Sequence, residues 1–193
     1  MRVNPFYRIL ILSYSASVFA EGVLLPIYAV FVQKIGGDIL DASGAMATFL
    51  IAQGLFTITA HRLHWVNQHR MIVMIGGWAI WVGGIAMYLV AKSVPILFLT
   101  QIFVALGNAL ADPIFDQELA NHTDIKSQEF EWGFFEGSRD LVQGVAAIIG
   151  GLIASFFGFR VLIFTMVVFA TLSLLLILSY VSRAKPVAAL PEA

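Results

Sequence analysis

The chain has 193 residues, of which 60% are hydrophobic and 12% are charged, and its formal net charge is -1. Soluble domains contain about 25% charged residues, so this composition excludes a soluble enzyme domain and an intrinsically disordered chain. The sequence has no cysteine, which excludes disulfides, thiol catalysis and thiolate metal sites. It has no block of basic residues either, so nucleic acid is not an expected partner.

Six apolar stretches are long enough to cross a bilayer, which takes about 20 mostly apolar residues. They lie at about 9–32, 44–61, 71–91, 94–119, 132–157 and 161–181. Because backbone groups in lipid must hydrogen-bond within their own segment, we expect a helix at each stretch. The sequence thus predicts an all-α polytopic membrane protein, with a transmembrane domain at 1–181 and a polar, disordered cytoplasmic tail at 182–193.

The basic residues near the helix ends are distributed unevenly between the two sides of the membrane. One side carries Arg2, Arg8, Arg62, Arg70, Lys126, Arg183 and Lys185, and the other carries Lys34, Lys92 and Arg160. The positive-inside rule then places both termini in the cytoplasm. We expect the protein itself to lie in the inner (plasma) membrane. An alternative is a signal peptide cleaved after Ala20, but the apolar run resumes at Val23 and completes a full span.

A short pattern recurs in the first and fourth helices. Pro26-Ile27-Tyr28 and Pro113-Ile114-Phe115 are 87 residues apart, and the same offset carries the second helix onto the fifth and the third onto the sixth. Three helices are an odd number, so this spacing predicts a 3+3 inverted repeat, as in many transporters. Each proline removes a backbone hydrogen bond and should kink its helix.

Polar side chains are concentrated on one face of three predicted helices. The first helix carries Tyr14, Ser17, Glu21 and Tyr28; the fourth carries Gln101, Asn108, Asp112 and Asp116; the fifth carries Glu136, Arg139, Asp140 and Gln143. A charge at mid-bilayer costs at least about 2.5–3.5 kcal/mol and usually marks a pathway, a pair or a cavity. The carboxylates outnumber the one guanidinium, so either protons neutralise some of them or water and a cation enter.

These residues have a structural interpretation as well as a functional one. We predict that the stripe residues bind a solute or ion, and that Glu136 and Arg139 form a structural ion pair through which Arg139 joins the fourth and fifth helices. The alternatives are a protonated Glu21 bonded to a neighbouring helix, and an Asp116 and Glu136 that reach the headgroups and are solvated. Because His61 is the last residue of one apolar stretch and the other three histidines lie outside the stretches, the sequence offers no axial haem ligands within a span, and we expect no cofactor, metal or catalytic residue.

Several motifs resemble one six-helix half of the major facilitator superfamily. They are Gly107-Asn108-Ala109-Leu110, Pro113, Glu131-Trp132-Gly133, Glu136-Gly137, Gly150-Gly151 and Gly158-Phe159-Arg160. Three departures argue against drug–proton antiport. His64 stands where the family's loop acid is expected, Gln101 where an arginine is common, and Ala146-Ala147 where the family has Gly-Pro.

The resemblance implies a transporter, and a full family member has twelve helices in two parallel halves. Two copies of this chain, or this chain with a second six-helix half, could rebuild that shape. The expected activity is proton-coupled transport of a small solute. In the family the second and fifth helices of a half meet the other half, so we place the dimer seam on a ridge of small residues in the fifth helix: Gly144, Ala147, Gly151 and Ala154. The alternative is that this ridge packs within the chain.

Two other functions are open at this point. The first is a membrane accessory subunit that does not transport. The second is a metal-dependent prenyl- or phospho-transferase, in which Asn108, Asp112 and Asp116 would face Glu136 and Asp140 around Mg²⁺. Pro113 within that motif and the short chain count against the enzyme.

Overall fold

The computed structural model describes residues 5–123 and 128–183. Every regular element in these two ranges is helical: α1 (Pro5–Gly22), a 3₁₀ turn (Leu25–Ile27), α2 (Tyr28–Lys34), α3 (Ile39–Ala60), α4 (His64–Gln68), α5 (Arg70–Met87), α6 (Val94–Asn121), α7 (Gln128–Phe157) and α8 (Phe159–Arg183). Within the described residues, six spans are long and apolar enough to cross a membrane: Pro5–Lys34, α3, α5, α6, α7 and α8. The predicted all-α class with six spans is confirmed. Arg2, Lys126, Lys185 and the tail from 184 onward lie outside the described residues.

The second span begins at Ile39, not near residue 44 as predicted. Asp38 caps the helix: its carboxylate accepts from the Asp41 N–H at 2.8 Å, and the Asp41 carboxylate accepts from the Asp38 N–H at 2.9 Å. This reciprocal cap satisfies two backbone donors that would otherwise be unpaired. A second difference is α4, a short helix in the predicted connection between the second and third spans.

The two prolines of the predicted repeat differ in their effect. The first span is interrupted around Pro26, where α1 ends at Gly22 and a 3₁₀ turn precedes α2. Gly150 of α7 packs against this interruption so closely that a Cβ there would overlap the Val23 carbonyl oxygen. The fourth span, in contrast, continues through Pro113 as one helix. The 3+3 inverted repeat stays a prediction.

The helices pack in a series in which α3 contacts α6, α6 contacts α5, α5 contacts α8, α8 contacts α1, and α1 contacts α7. At the two ends of this series, α3 and α7 are the least covered spans. Only 11% of the residues in their most apolar windows are buried, against 33–44% in the other four spans. We call their exposed apolar sides the uncovered flanks: Leu50, Ile51 and Leu55 on α3, and Leu141, Val145 and Ile148 on α7.

Candidate functional site

A small cavity lies between α1, α5 and α6. Its volume is about 70 Å³, and five of the predicted site residues line it together with two tryptophans: Tyr14, Ser17, Glu21, Asn108, Asp112, Trp78 and Trp81. The shared helical spacing explains this, since residues three, four and seven apart on one helix point in the same direction. The structure therefore brings together the central part of the two predicted polar stripes.

Glu21 is tied to a neighbouring helix and is also open to the cavity. The indole Nε1 of Trp81 donates a hydrogen bond to its Oε1 at 2.9 Å, and the Asn108 side chain is a second neighbour of the same carboxylate. The residue is nevertheless exposed, on the side where it lines the cavity. Glu21 can therefore hold a proton or a cation without breaking the packing of α1 against α5 and α6.

Asp112 lies on the opposite wall of the cavity, on α6. The Gln53 side chain of α3 approaches it, with Nε2 at 3.4 Å from Oδ2. Tyr14 stands beside it and stacks on Phe115 with ring centroids 5.2 Å apart. The Tyr14 hydroxyl interacts electrostatically with Glu21 and Asp112, and also with Asp116 and Arg139. Charged residues of α1, α6 and α7 are thus neighbours of one tyrosine, and Gln53 of α3 reaches Asp112.

Other predicted site residues lie elsewhere. Tyr28 and Gln101 are both buried, and the Gln101 amide donates to the Tyr28 hydroxyl. The two side chains hydrogen-bond each other in the core and do not line the cavity. For Tyr28 the reason is the interruption at Pro26, which changes the helical phase between Glu21 and Tyr28. Gln101 is on the continuous helix α6, about two turns from Asn108 and beyond the cavity lining. Ser17 does line the cavity, but its hydroxyl donates to the Tyr14 carbonyl of its own helix.

The remaining polar residues of α6 and α7 are more open. Asp116 is exposed and has Glu136 as a like-charged neighbour, and the Asp140 side chain is 71% exposed. Gln143 lies where α7 packs against Gly22, away from the cavity lining.

The Glu136–Arg139 ion pair forms as predicted, with Arg139 Nη2 at 2.6 Å from Glu136 Oε2. However, the second partner of Arg139 is Asp140, at 3.4 Å, and both partners are on α7. The prediction that Arg139 joins the fourth and fifth helices is therefore wrong for the ion pairs within 5–123 and 128–183. The contact with Glu136 is the i,i+3 pair expected on one helical face, and the longer contact with Asp140 is to the next residue in the chain.

The small residues of α7 have two different kinds of surroundings. Gly150 and Ala146 pack closely against Val23 and Gly22 of the first span. On the predicted seam, in contrast, a Cβ added at Gly144 or Gly151 would meet no other group within 4 Å. Packing within the chain therefore uses neighbouring positions and also Ala154, which packs against the hydrophobic core, whereas these two glycines are open.

Three polar groups that the sequence reasoning missed are important in the structure. Trp81 and Gln53 contact the two cavity carboxylates. Glu118 is only 2% exposed and joins the ends of three spans. Arg70 Nη2 lies 3.1 Å from its Oε1, and the Tyr180 hydroxyl donates to its Oε2 at 2.6 Å. A weak signal was present, because Arg70, Glu118 and Tyr180 all lie near helix ends on the same predicted side.

The metal-dependent alternative gains no support from the geometry. In the part of the chain that the structure describes, no three His, Asp or Glu side chains converge in a group that could hold a metal ion. Asp140 instead pairs with Arg139 on its own helix.

Comparison with known families gives one result. The family model of the Major Facilitator Superfamily matches residues 10–193, which includes all the cavity residues. A search of curated proteins finds no match.

Proposed function

From the premise that this chain belongs to the Major Facilitator Superfamily, and is a membrane transporter of that type, we propose that it couples the movement of a small solute to protons. It works as a homodimer of six-helix halves in the inner (plasma) membrane, with both termini in the cytoplasm. The observation that carries the proposal is the cavity that holds Glu21 and Asp112 within the spans.

The surroundings of the Glu21 and Asp112 carboxylates support proton coupling. They approach the same tyrosine from different helices, and no ion pair with a basic residue is found for either within the described residues. A dry, unpaired carboxylate is costly in the membrane. Each can therefore be neutralised by a proton or by a cationic solute, and exchange between the two is the basis of coupling.

The test uses the full chain in liposomes with a pH gradient. Uptake is measured with four radiolabelled probes: a hexose, an amino acid, a monocarboxylate and a lipophilic cation. We expect gradient-driven uptake of at least one probe, which Glu21→Gln and Asp112→Asn abolish. The matched control is Glu129→Gln, an exposed glutamate in the first turn of α7 outside the cavity. Full uptake by both cavity variants would show that the coupling assignment is wrong.

The homodimer proposal is supported by the uncovered flanks and by the open glycines. Small residues let helix backbones approach closely in lipid, and Gly144 and Gly151 have space for a second helix. A two-fold axis beside α7 would bring the two ridges together. A second six-helix half could use the same surface.

Self-association is measured by native mass spectrometry in detergent. Gly151→Ile should weaken the dimer, because the side chain fills the open ridge. Gly83→Ile is the matched control, since Gly83 is also open but lies on α5, away from the flanks. A monomer before any mutation would contradict the homodimer and favour an accessory subunit or a different partner. If both variants dimerise equally, the dimer seam does not lie on α7.

A further inference from the structure

A second pocket lies far from the candidate site, where α2 and α5 end and α8 begins. Its volume is about 840 Å³. Three basic residues line it, Lys34, Lys92 and Arg160, together with aromatic side chains that include Phe31 and Phe159. We call it the basic pocket. The cavity proposed for transport shares none of its lining residues.

The convergence of charge in the basic pocket needs an explanation. Lys34, Lys92 and Arg160 are the three basic residues that the loop pattern assigns to the non-cytoplasmic side. They are far apart in sequence, yet all three line one pocket. No Asp or Glu lines it, and within the described ranges none of the three forms an ion pair. The Lys34 ammonium lies 5.4 Å from the centre of the Phe159 ring.

The apolar part of the pocket extends along the bundle surface. Leu89, Val90 and Phe164 line it and are 39%, 59% and 61% exposed. The α3 and α7 helices contribute no lining residue, so the uncovered flanks are not part of the pocket. Lys34 and Arg160 lie at the ends of α2 and α8, and Lys92 lies in the connection between α5 and α6. All three are therefore beside the ends of candidate membrane spans, where a bilayer presents its headgroups.

We propose that the basic pocket binds an anionic glycerophospholipid of the non-cytoplasmic leaflet. Its phosphate lies among Lys34, Lys92 and Arg160, because ammonium and guanidinium groups donate charge-assisted hydrogen bonds to phosphate oxygens. Its acyl chains run along Leu89, Val90 and Phe164. A ligand with both a charged head and an apolar tail fits this lining, and a free anion would leave the apolar wall unused.

The experiment uses the purified full chain in detergent and native mass spectrometry. Phosphatidylglycerol and phosphatidylcholine are added at equal concentrations, and glycerol 3-phosphate is added as a soluble competitor. We expect phosphatidylglycerol to be retained in preference to phosphatidylcholine, with no displacement by glycerol 3-phosphate. Equal retention of the two lipids, or displacement by glycerol 3-phosphate at the lipid concentration, would overturn the proposal.

A charge-matched pair of variants locates the site. Lys92→Gln with Arg160→Gln should weaken phosphatidylglycerol binding about 30-fold, since each basic residue near an anionic lipid contributes roughly fivefold. Arg62→Gln with Arg183→Gln removes two exposed charges on the other side and should leave binding unchanged. An equal loss in both pairs, or no loss in the first pair, would refute the assignment. If the variant with Lys92→Gln and Arg160→Gln does not fold, the comparison of phosphatidylglycerol with phosphatidylcholine on the unmodified chain tests the proposal.

Discussion

Glu118 offers the sharpest test of how the spans are held together. The Tyr180 hydroxyl donates to it at 2.6 Å, and both residues are buried, at 0% and 2% exposure. Tyr180→Phe removes this hydrogen bond while keeping the ring contacts with Phe6 and His122. Hydrogen bonds to charged groups contribute about 1.5–3 kcal/mol, and water cannot replace a donor in a buried position. We expect a loss of about 2 kcal/mol, which lowers Tm by roughly 4–8 °C for a chain of this length.

The control is a second buried tyrosine with a neutral acceptor. Tyr7 is 3% exposed, and its hydroxyl donates to the Glu131 backbone carbonyl at 2.8 Å. Tyr7→Phe should therefore cost about 1 kcal/mol, half the loss at Tyr180. The assay is thermal unfolding in detergent, with both variants and the parent chain in the same buffer.

A double-mutant cycle isolates the role of the charge. In a Glu118→Gln background the acceptor is a neutral amide, so Tyr180→Phe should cost about 1 kcal/mol instead of about 2. If the loss is the same with and without the carboxylate, or if Tyr180→Phe costs no more than Tyr7→Phe, the Glu118 contact does not stabilise the bundle as argued.

Three further predictions concern stability in the same assay. Gly150→Ala should cost about 1–3 kcal/mol of stability because its Cβ would overlap a backbone oxygen of the first span. Gly151→Ala is the control and should change stability little, because the space beside Gly151 is open. Equal effects of the two variants would contradict the close packing at Gly150. Ser173→Ala should cost about 1–3 kcal/mol because Trp78 Nε1, which donates to the serine hydroxyl at 2.8 Å in the core, loses its acceptor; no loss would mean that the indole finds another acceptor. Asp38→Ala should cost about 0.5–2 kcal/mol by removing the cap of α3, and unchanged stability would show that the cap is dispensable.

The number and type of the spans could be predicted from the sequence because a bilayer imposes a length on apolar helices. The residues at which the helices begin and end depend on local hydrogen bonding, which hydropathy does not measure. The second span starts at Ile39 because Asp38 and Asp41 cap each other, a pattern that the sequence shows but an apolar count ignores. The interruption of the first span around Pro26 was partly foreseen, since proline removes a hydrogen bond.

The candidate site could be predicted only within continuous helices. Spacing on one helix correctly grouped Tyr14 with Glu21, and Asn108 with Asp112. It failed for Tyr28, which lies beyond the interruption, and for Gln101 and Asp116, which are on the continuous helix α6 but lie beyond the cavity lining. It also could not find Trp81 or Gln53, because each is a single polar group on an apolar helix and its importance comes from the helix packed opposite.

The dimer and the coupling proposals depend on the same surface of α7. Glu136 and Asp140 are 46% and 71% exposed on a membrane span, and a charge that faces acyl chains costs at least about 2.5–3.5 kcal/mol. Pairing with Arg139 reduces this cost but leaves a net negative charge, so α7 is better suited to a wet gap or a partner than to lipid. Arg139 also interacts electrostatically with Tyr14, which borders the cavity of Glu21 and Asp112. If the proposed proton exchange takes place in this cavity, a partner that covers α7 would help to enclose it, and a chain that stays monomeric in a bilayer would leave it without that cover.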